Sequence, residues 1–479
     1  LKNKYSNVTK NGEIMDGLHE LSNFLTTGET NSYTDTYRKE GYFGRISYDY
    51  ANRYYASFSY RHDGSSCFSR DTRWGNFMAF GLSWRIDQEP FMANVKWVDQ
   101  LKLRASYGET GNDSGIGYYP YQTLYELGKN NSSEEGILFK SKGNEGLKWE
   151  TQVTKDIALE FGFFDVVSGS VEVFFKQSQD LLFDVPQMVS SGITSVWENI
   201  GKVNNNGLEF DLNFKLIQTK DWNWSLGLNA TTVKNKVKRF PEGVTEIIKD
   251  RKRIAVGRSI YDFWLKEYRG VDPADGAALY RFDREGGAVW SDEDCRTING
   301  VEVTTKQAKA KYHYAGSAIP DWYGGINTSL SYRNWELSAL FSYGIGGKVY
   351  DYSYMMLMSV GQYGRAMHAD IKNRWQKPGD ITDVPRLDGY YVTDFNAESD
   401  RWLVDADYFS MKSLTVGYAL PMRWISKIGI KSAKMSVTGE NLFVLNHRRG
   451  VNTQEAYTGN LSAGWLPART CTFRLNVTF

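Results

Sequence analysis

The residues able to do chemistry are scattered, and their spacing assigns none of them a reaction. Five histidines, His19, His62, His313, His368 and His447, form no i, i+4 pair and no HExxH, the spacing that sets two imidazoles on one helix face for zinc. They read as loop and rim contacts. Asp272 and Asp275 precede Gly276 in VDPADGAALY. The alternating oxygen ligands and distal glutamate of a calcium loop are missing, so this segment reads as a β-turn. The run Asp292, Glu293, Asp294 reads as a solvated loop rather than a cation site. GETGNDSGIG from Gly108 lacks the Lys-Ser/Thr pair and following helix of a phosphate loop. Cys67, Cys295 and Cys471 are odd in number and far apart, giving neither a disulfide framework nor a CxxC metal pair. No two carboxylates stand out at glycosidase spacing. The expectation is a protein that is not an enzyme and takes no metal and no cofactor.

Aromatic residues are the exception. Tyr118, Tyr119, Tyr121, Trp197, Trp290, Tyr350, Tyr352, Tyr354, Tyr363, Trp375, Tyr390 and Tyr391 lie beside polar neighbours between the regular segments. Rings so placed form platforms that stack on sugar faces or peptide groups. The competing role for any one of them is a membrane-interface girdle or a loop-packing anchor. Trp222, Trp224 and Trp335 open their segments and suit the girdle.

Strands must hold these rings, because the hydrophobic period is two. LEFDLNFKL sets Leu208, Phe210, Leu212, Phe214 and Leu216 on one face and Glu209, Asp211, Asn213 and Lys215 on the other. The same alternation runs through Trp224, Leu226, Leu228 and Ala230, through Trp335, Leu337, Ala339, Phe341 and Tyr343, with Leu340 the one exception, and through Phe473, Leu475, Val477 and Phe479. Thirteen strands are expected near 42–50, 53–62, 75–86, 101–108, 153–162, 167–179, 204–216, 222–237, 323–333, 334–344, 408–420, 432–442 and 469–479. About ten residues at about 3.3 Å each, tilted by about 45°, rise roughly 23 Å, the height of an outer-membrane barrel's apolar band. Links at 51–52, 163–166, 217–221 and 333–334 are short, with somewhat longer ones at 87–100 and 421–431. Those at 63–74, 109–152, 180–203, 238–322, 345–407 and 443–468 are long. Short turns on one rim and long loops on the other mark bacterial outer-membrane barrels; a soluble multi-sheet protein has no reason to segregate them.

Composition agrees. The 479 residues carry a formal charge of +1 without a polybasic tract, which leaves nucleic acid no electrostatic footprint. Aromatic residues reach 15% and glycine 45 residues, a bias toward pleated surfaces and tight turns. Mean hydropathy is −0.49 and no window approaches 18 apolar residues, which excludes a spanning helix but not a barrel. The opening LKNKYSNVTK carries no signal-peptide pattern.

A resemblance sharpens this. YFGRISYDY at Tyr42, YRHDGSSCFSRDTRWGNF from Tyr60, LSWRIDQEPF from Leu82 and LKLRASYGETGND from Leu101 are followed by LKWETQ, FKQSQDLL, NIGKVNNNGLEFDL and NRWQKPGDITDVPRL. MKSLTVGYALP from Met411, VTGENLFVL from Val437 and a terminal RLNVTF complete the series. In order and spacing the chain resembles the C-terminal portion of a SusC/RagA-type TonB-dependent outer-membrane transporter. Cys67 departs from it, standing where the family usually has arginine in DGSSRF.

The resemblance implies an all-β fold, an antiparallel transmembrane β-barrel. The chain would supply about thirteen C-terminal strands of a barrel of about 22, completed by another chain or fragment carrying the plug and the first strands. An open sheet in lipid would leave about ten unpaired groups on each edge, roughly 40 to 80 kcal/mol, which argues for such a partner. Residues 1–41 are expected as an extracellular loop segment and 42–479 as barrel. Phe473, Leu475, Val477 and Phe479 would carry the barrel-assembly signal. Implied partners are a SusD-like surface lipoprotein, TonB acting through the plug, outer-membrane lipid, and an oligosaccharide or peptide substrate. A non-energised pore or surface adhesin is the alternative at the same membrane, and a secreted all-β glycan-binding or hydrolytic protein the alternative away from it.

Overall fold

A computed structural model describes residues 1–479 apart from 128–135, 241–243, 287–293, 360, 362–363, 427–428, 449, 456–457 and 462–465. Thirteen strands form its main sheet: β1 (Lys39–Tyr50), β2 (Tyr54–Ser65), β3 (Trp74–Arg85), β4 (Val98–Asn112), β5 (Glu150–Phe163), β6 (Val167–Pro186) and β7 (Ser195–Gln218). They continue with β8 (Trp222–Arg239), β9 (Trp322–Tyr332), β10 (Trp335–Ile345), β11 (Tyr408–Ala419), β12 (Ser432–Asn446) and β13 (Thr470–Thr478). Neighbours in the sheet are neighbours in the chain from β1 to β13, with no crossover. Each expected strand is present. β6 and β7 run well past their expected limits at 179 and 204, because SVWENIGKV continues as strand despite Gly201 at φ +37°.

The register explains the alternation. One row runs Trp222, Tyr332, Trp335, Tyr418, Met435, Leu475 across β8 to β13, and the next on the same face runs Trp224, Leu330, Leu337, Val416, Val437, Phe473. The opposite face carries Asn223, Ser331, Glu336, Gly417, Ser436, Arg474 and then Ser225, Ser329, Ser338, Thr415, Thr438, Thr472. The apolar rows are exposed, Trp335 at 53%, Val437 at 46% and Phe473 at 63%. A sheet-on-sheet sandwich would bury them. In β11 a bulge at Lys412 shifts the register, so that Leu414 and Met411 both stay on the apolar face.

Short turns follow from local conformation. Ala51 and Asn52 both adopt left-handed φ, +56° and +55°, and Arg53 N–H donates to the Tyr50 carbonyl at 3.0 Å. That is the type I′ geometry whose twist suits a two-residue hairpin. Phe164 and Asp165 do the same between β5 and β6.

The chain divides into two compact units. The first (Leu1–Leu82, Ala105–Lys155, Lys176–Val203) holds a long hairpin, Lys2–Glu13 against Phe24–Thr36, in the stretch expected as loop. Its core packs Cys67, Phe68, Phe77, Ile116, Leu147 and Trp149. Gly111 leaves the space that Phe77 fills, since a Cβ there would stand 2.1 Å from its ring. The second unit (Ser83–Arg104, Asp156–Phe175, Asn204–Phe479) carries the main-sheet rows above and three small sheets built from its long loops. The sequence gives these little warning, since their strands are mostly four to six residues long.

Candidate functional site

In the second unit the long connections β8–β9, β10–β11 and β12–β13 interlock. Tyr350 N–H donates to the Gly459 carbonyl at 2.7 Å, and Lys348–Asp351 pairs in parallel with Asn460–Leu461. Lys252 Nζ bonds the Thr458 carbonyl, and Arg251 pairs with Glu398. Between them lies a buried cluster of Phe263, Leu265, Tyr350, Met355, Met358 and Trp402. Guanidinium groups cap its rings. Arg251 lies 4.5 Å from the Tyr350 centroid, Arg401 4.4 Å from Trp402 and Arg448 3.5 Å from Tyr354. Stacking lets arginine cover apolar faces while other N–H groups reach polar partners, as Arg448 does at Asp351.

The structure sorts the expected aromatic platforms. Tyr350 is fully buried, its hydroxyl 3.0 Å from the Met355 sulfur, so it serves the packing of this layer. Burial raises its phenol well above the ordinary value. Tyr354 is pushed up to about 12 by burial and by its 2.8 Å bond to Asp370. Trp197 packs against the core of the first unit. Tyr118 and Tyr119 use their hydroxyls on the N-terminal hairpin, accepting from Asn3 and from Thr36 N–H at 2.9 Å each. Tyr121 accepts from Gln122. Trp375 donates from Nε1 to the Pro273 carbonyl at 3.0 Å and stacks over Gly276, where a Cβ would come within 2.5 Å of the ring.

Among the described candidates two rings keep open faces, Tyr390 at 88% exposure and Tyr352 at 40% with Arg251 at 5.3 Å. Tyr391 meets Tyr390 edge-on at 5.1 Å but is itself packed, stacked on Phe395 at 5.8 Å with Lys306 Nζ 4.9 Å from its centroid. Asp388 holds the Tyr390–Tyr391 pair by accepting from both backbone N–H groups. Trp290 and Tyr363 lie outside the described residues, as do Asp292 and Glu293.

Other candidates take structural roles. Asp272 and Asp275 clamp Arg296 at 2.7 and 2.8 Å, the guanidinium occupying the place where a cation would sit. Asp294 pairs with Lys309. His62 stacks on Trp74 at 4.6 Å, and His313 Nε2 lies 2.9 Å from Asp400. Cys67 is buried with its Sγ 3.4 Å from the Gly117 carbonyl, a site a thiol fills without a charge to solvate.

The polar face of the sheet carries charge of its own. Arg104 on β4 reaches Glu172 at 2.5 Å, Glu160 at 3.5 Å and Asp156 at 3.9 Å, and Lys102 joins at Glu160. Sequence reasoning missed this cluster and the arginine caps, because their partners come from other strands and loops. The even positions of LKLRAS, polar against an apolar odd row, were the available signal.

The family model described as TonB dependent receptor-like, beta-barrel matches residues 4–420. The chain belongs to this TonB-dependent receptor family. It is 30% identical to TonB-dependent receptor P3 of Formosa agariphila over 96% of the chain and 47% of that protein. It is 26% identical to TonB-dependent receptor SusC of Bacteroides thetaiotaomicron, over 94% of the chain and 45% of the relative. The chain thus spans about half the length of the curated relatives it matches. Among solved structures it superposes on the RagAB peptide transporter with a TM-score of 0.79 at 25% identity, covering 91% of this chain and 47% of that one. As a TonB-dependent receptor barrel it is an outer-membrane protein of a transporter family, and its exposed apolar rows are lipid-facing.

Proposed function

We propose that this chain forms the C-terminal part of the barrel wall of an energised outer-membrane importer of oligosaccharides or peptides. A plug and the remaining strands, on another chain or fragment, complete it. A SusD-like surface lipoprotein caps the loops, and TonB acts through the plug. The observation that carries the reading is the interlocked loop layer of the second unit, which offers open aromatic faces at Tyr352 and Tyr390 over a packed base. Flat rings beside polar groups suit the faces of sugars and peptide bonds alike. The likeness to RagAB supports a peptide cargo and the likeness to SusC supports the same transporter class.

Uptake of labelled oligosaccharides and peptides by cells bearing the protein tests this, with and without collapse of the inner-membrane proton gradient. Import is expected to stop when the gradient is collapsed. Import that persists identifies a passive pore, and no import beside firm surface attachment identifies an adhesin.

A further inference from the structure

On β8 the apolar row Trp222, Trp224, Leu226, Leu228, Ala230 does not end at the membrane-sized limit. It continues on the same face through Thr232 into Lys234, Lys236 and Lys238. Burial keeps the alternation: the three lysines are exposed, while Asn235 and Val237 between them are buried. The Asn235 side chain accepts from Ile260 N–H at 2.9 Å, and the Val237 backbone carbonyl accepts from Gly257 N–H at 2.9 Å, so both are held to the loop 250–262. The lysines therefore share the lipid-side face.

Their height is set by β9. Trp322 and Tyr332 stand at its two ends, about ten steps of about 3.4 Å apart, which at a tilt of about 45° rises about 24 Å, one apolar band with an aromatic at each boundary. Thr231 pairs with Tyr323, so Thr232 falls at the Trp322 level, and Lys234 begins one pleat beyond. That is where lipid phosphates lie. The lysines and Trp322 line a hollow of about 750 Å³ with Val173, Phe175 and Asn206. Asp321 also borders it. Among the described residues none of the three lysines is in an ion pair, although like charges about 7 Å apart on one strand repel. Lysine stems can cover apolar wall while their ammonium groups reach out to polar partners.

We propose that Lys234, Lys236 and Lys238 form a binding site for the phosphate groups of an outer-leaflet lipid headgroup, with its acyl chains against the apolar row below. The site rests on the reading under Proposed function, in which a surface lipoprotein caps the loops and the long β8–β9 connection therefore lies on the outer side. Each lysine contributes about fivefold in affinity for an anionic headgroup.

The test titrates the detergent-purified, fully assembled protein with diphosphorylated lipid A, its dephosphorylated form and inorganic phosphate, read by native mass spectrometry. The variant K234Q/K236Q/K238Q is expected to bind diphosphorylated lipid A about a hundredfold more weakly, K234R/K236R/K238R to retain binding, and the dephosphorylated lipid to bind both proteins poorly. Equal binding by the glutamine variant, equal binding of the dephosphorylated lipid, or inorganic phosphate bound as tightly as lipid would overturn the site. Lys236→Cys labelled by a membrane-impermeant maleimide on intact cells separates the two levels. Labelling only after the outer membrane is opened overturns the orientation, whereas normal labelling with no lipid preference overturns the lysine site alone.

Discussion

Arg448 lies over Tyr354, 3.5 Å from the ring centroid, while its Nη1 bonds Asp351 at 2.9 Å. One side chain from the β12–β13 connection therefore closes both the aromatic and the acidic part of the β10–β11 connection. Asp351 is 3% exposed and also accepts from Tyr354 N–H, so it depends on that guanidinium. Arg448→Ala is expected to cost about 3 kcal/mol of local stability by stranding a buried carboxylate. Hydrogen exchange should rise in 348–358 and 446–461 and stay unchanged in β9 and β10.

Tyr350 and Tyr390 separate packing from recognition. Tyr350→Ala should remove about 3–5 kcal/mol, as for other large buried rings, and lower the amount of folded protein in the membrane. Tyr390→Ala should change stability by less than about 0.5 kcal/mol. It should nevertheless weaken substrate binding several-fold, measured by calorimetry on the assembled complex. Unchanged binding would remove Tyr390 from the site.

Gly276 has φ +74° and supports the Trp375 ring. Gly276→Ala combines left-handed strain of about 1–2 kcal/mol with a collision against the indole. The expected result is a displaced Trp375, visible as a red-shifted tryptophan emission.

Acid should loosen the Tyr390–Tyr391 platform. Burial opposes ionisation of Asp388, but bonds from Arg386 and from both tyrosine N–H groups outweigh it and hold the carboxyl below its ordinary 3.8. A depressed carboxylate stabilises the fold above its unfolded value, and that contribution disappears as pH falls through the folded one. Protection across 386–395, taken relative to the intrinsic exchange rate at each pH, should therefore be flat from pH 7 to about pH 4 and fall below it.

The strands were legible because bilayer and lumen impose opposite solvents on alternate residues. LEFDLNFKL and WELSALFSY carry that period in their residue types, and LTVGYA keeps it despite the bulge at Lys412. The loop layer was not legible. Tyr350 and Tyr390 are both tyrosines beside polar residues, yet one is buried by Phe263, Trp402 and Arg251 from distant segments and the other by nothing comparable. No local pattern distinguishes them. The hairpin in 1–41 escaped because KNKYSNVTK and TNSYTDT are polar on both faces, so pairing leaves no apolar row to read.

The central claim is that neighbouring residues of one strand meet lipid and water in turn. Single cysteines placed from Glu336 to Tyr343 on β10, which is paired on both sides by β9 and β11, can be spin-labelled in the membrane-embedded protein. Collision rates with oxygen, which partitions into lipid, and with a water-soluble nickel chelate then report each site. Oxygen maxima at 337, 339, 341 and 343 alternating with nickel maxima at 336, 338, 340 and 342 are expected; protection of the 337–343 odd row from both reagents would contradict the lipid-facing barrel.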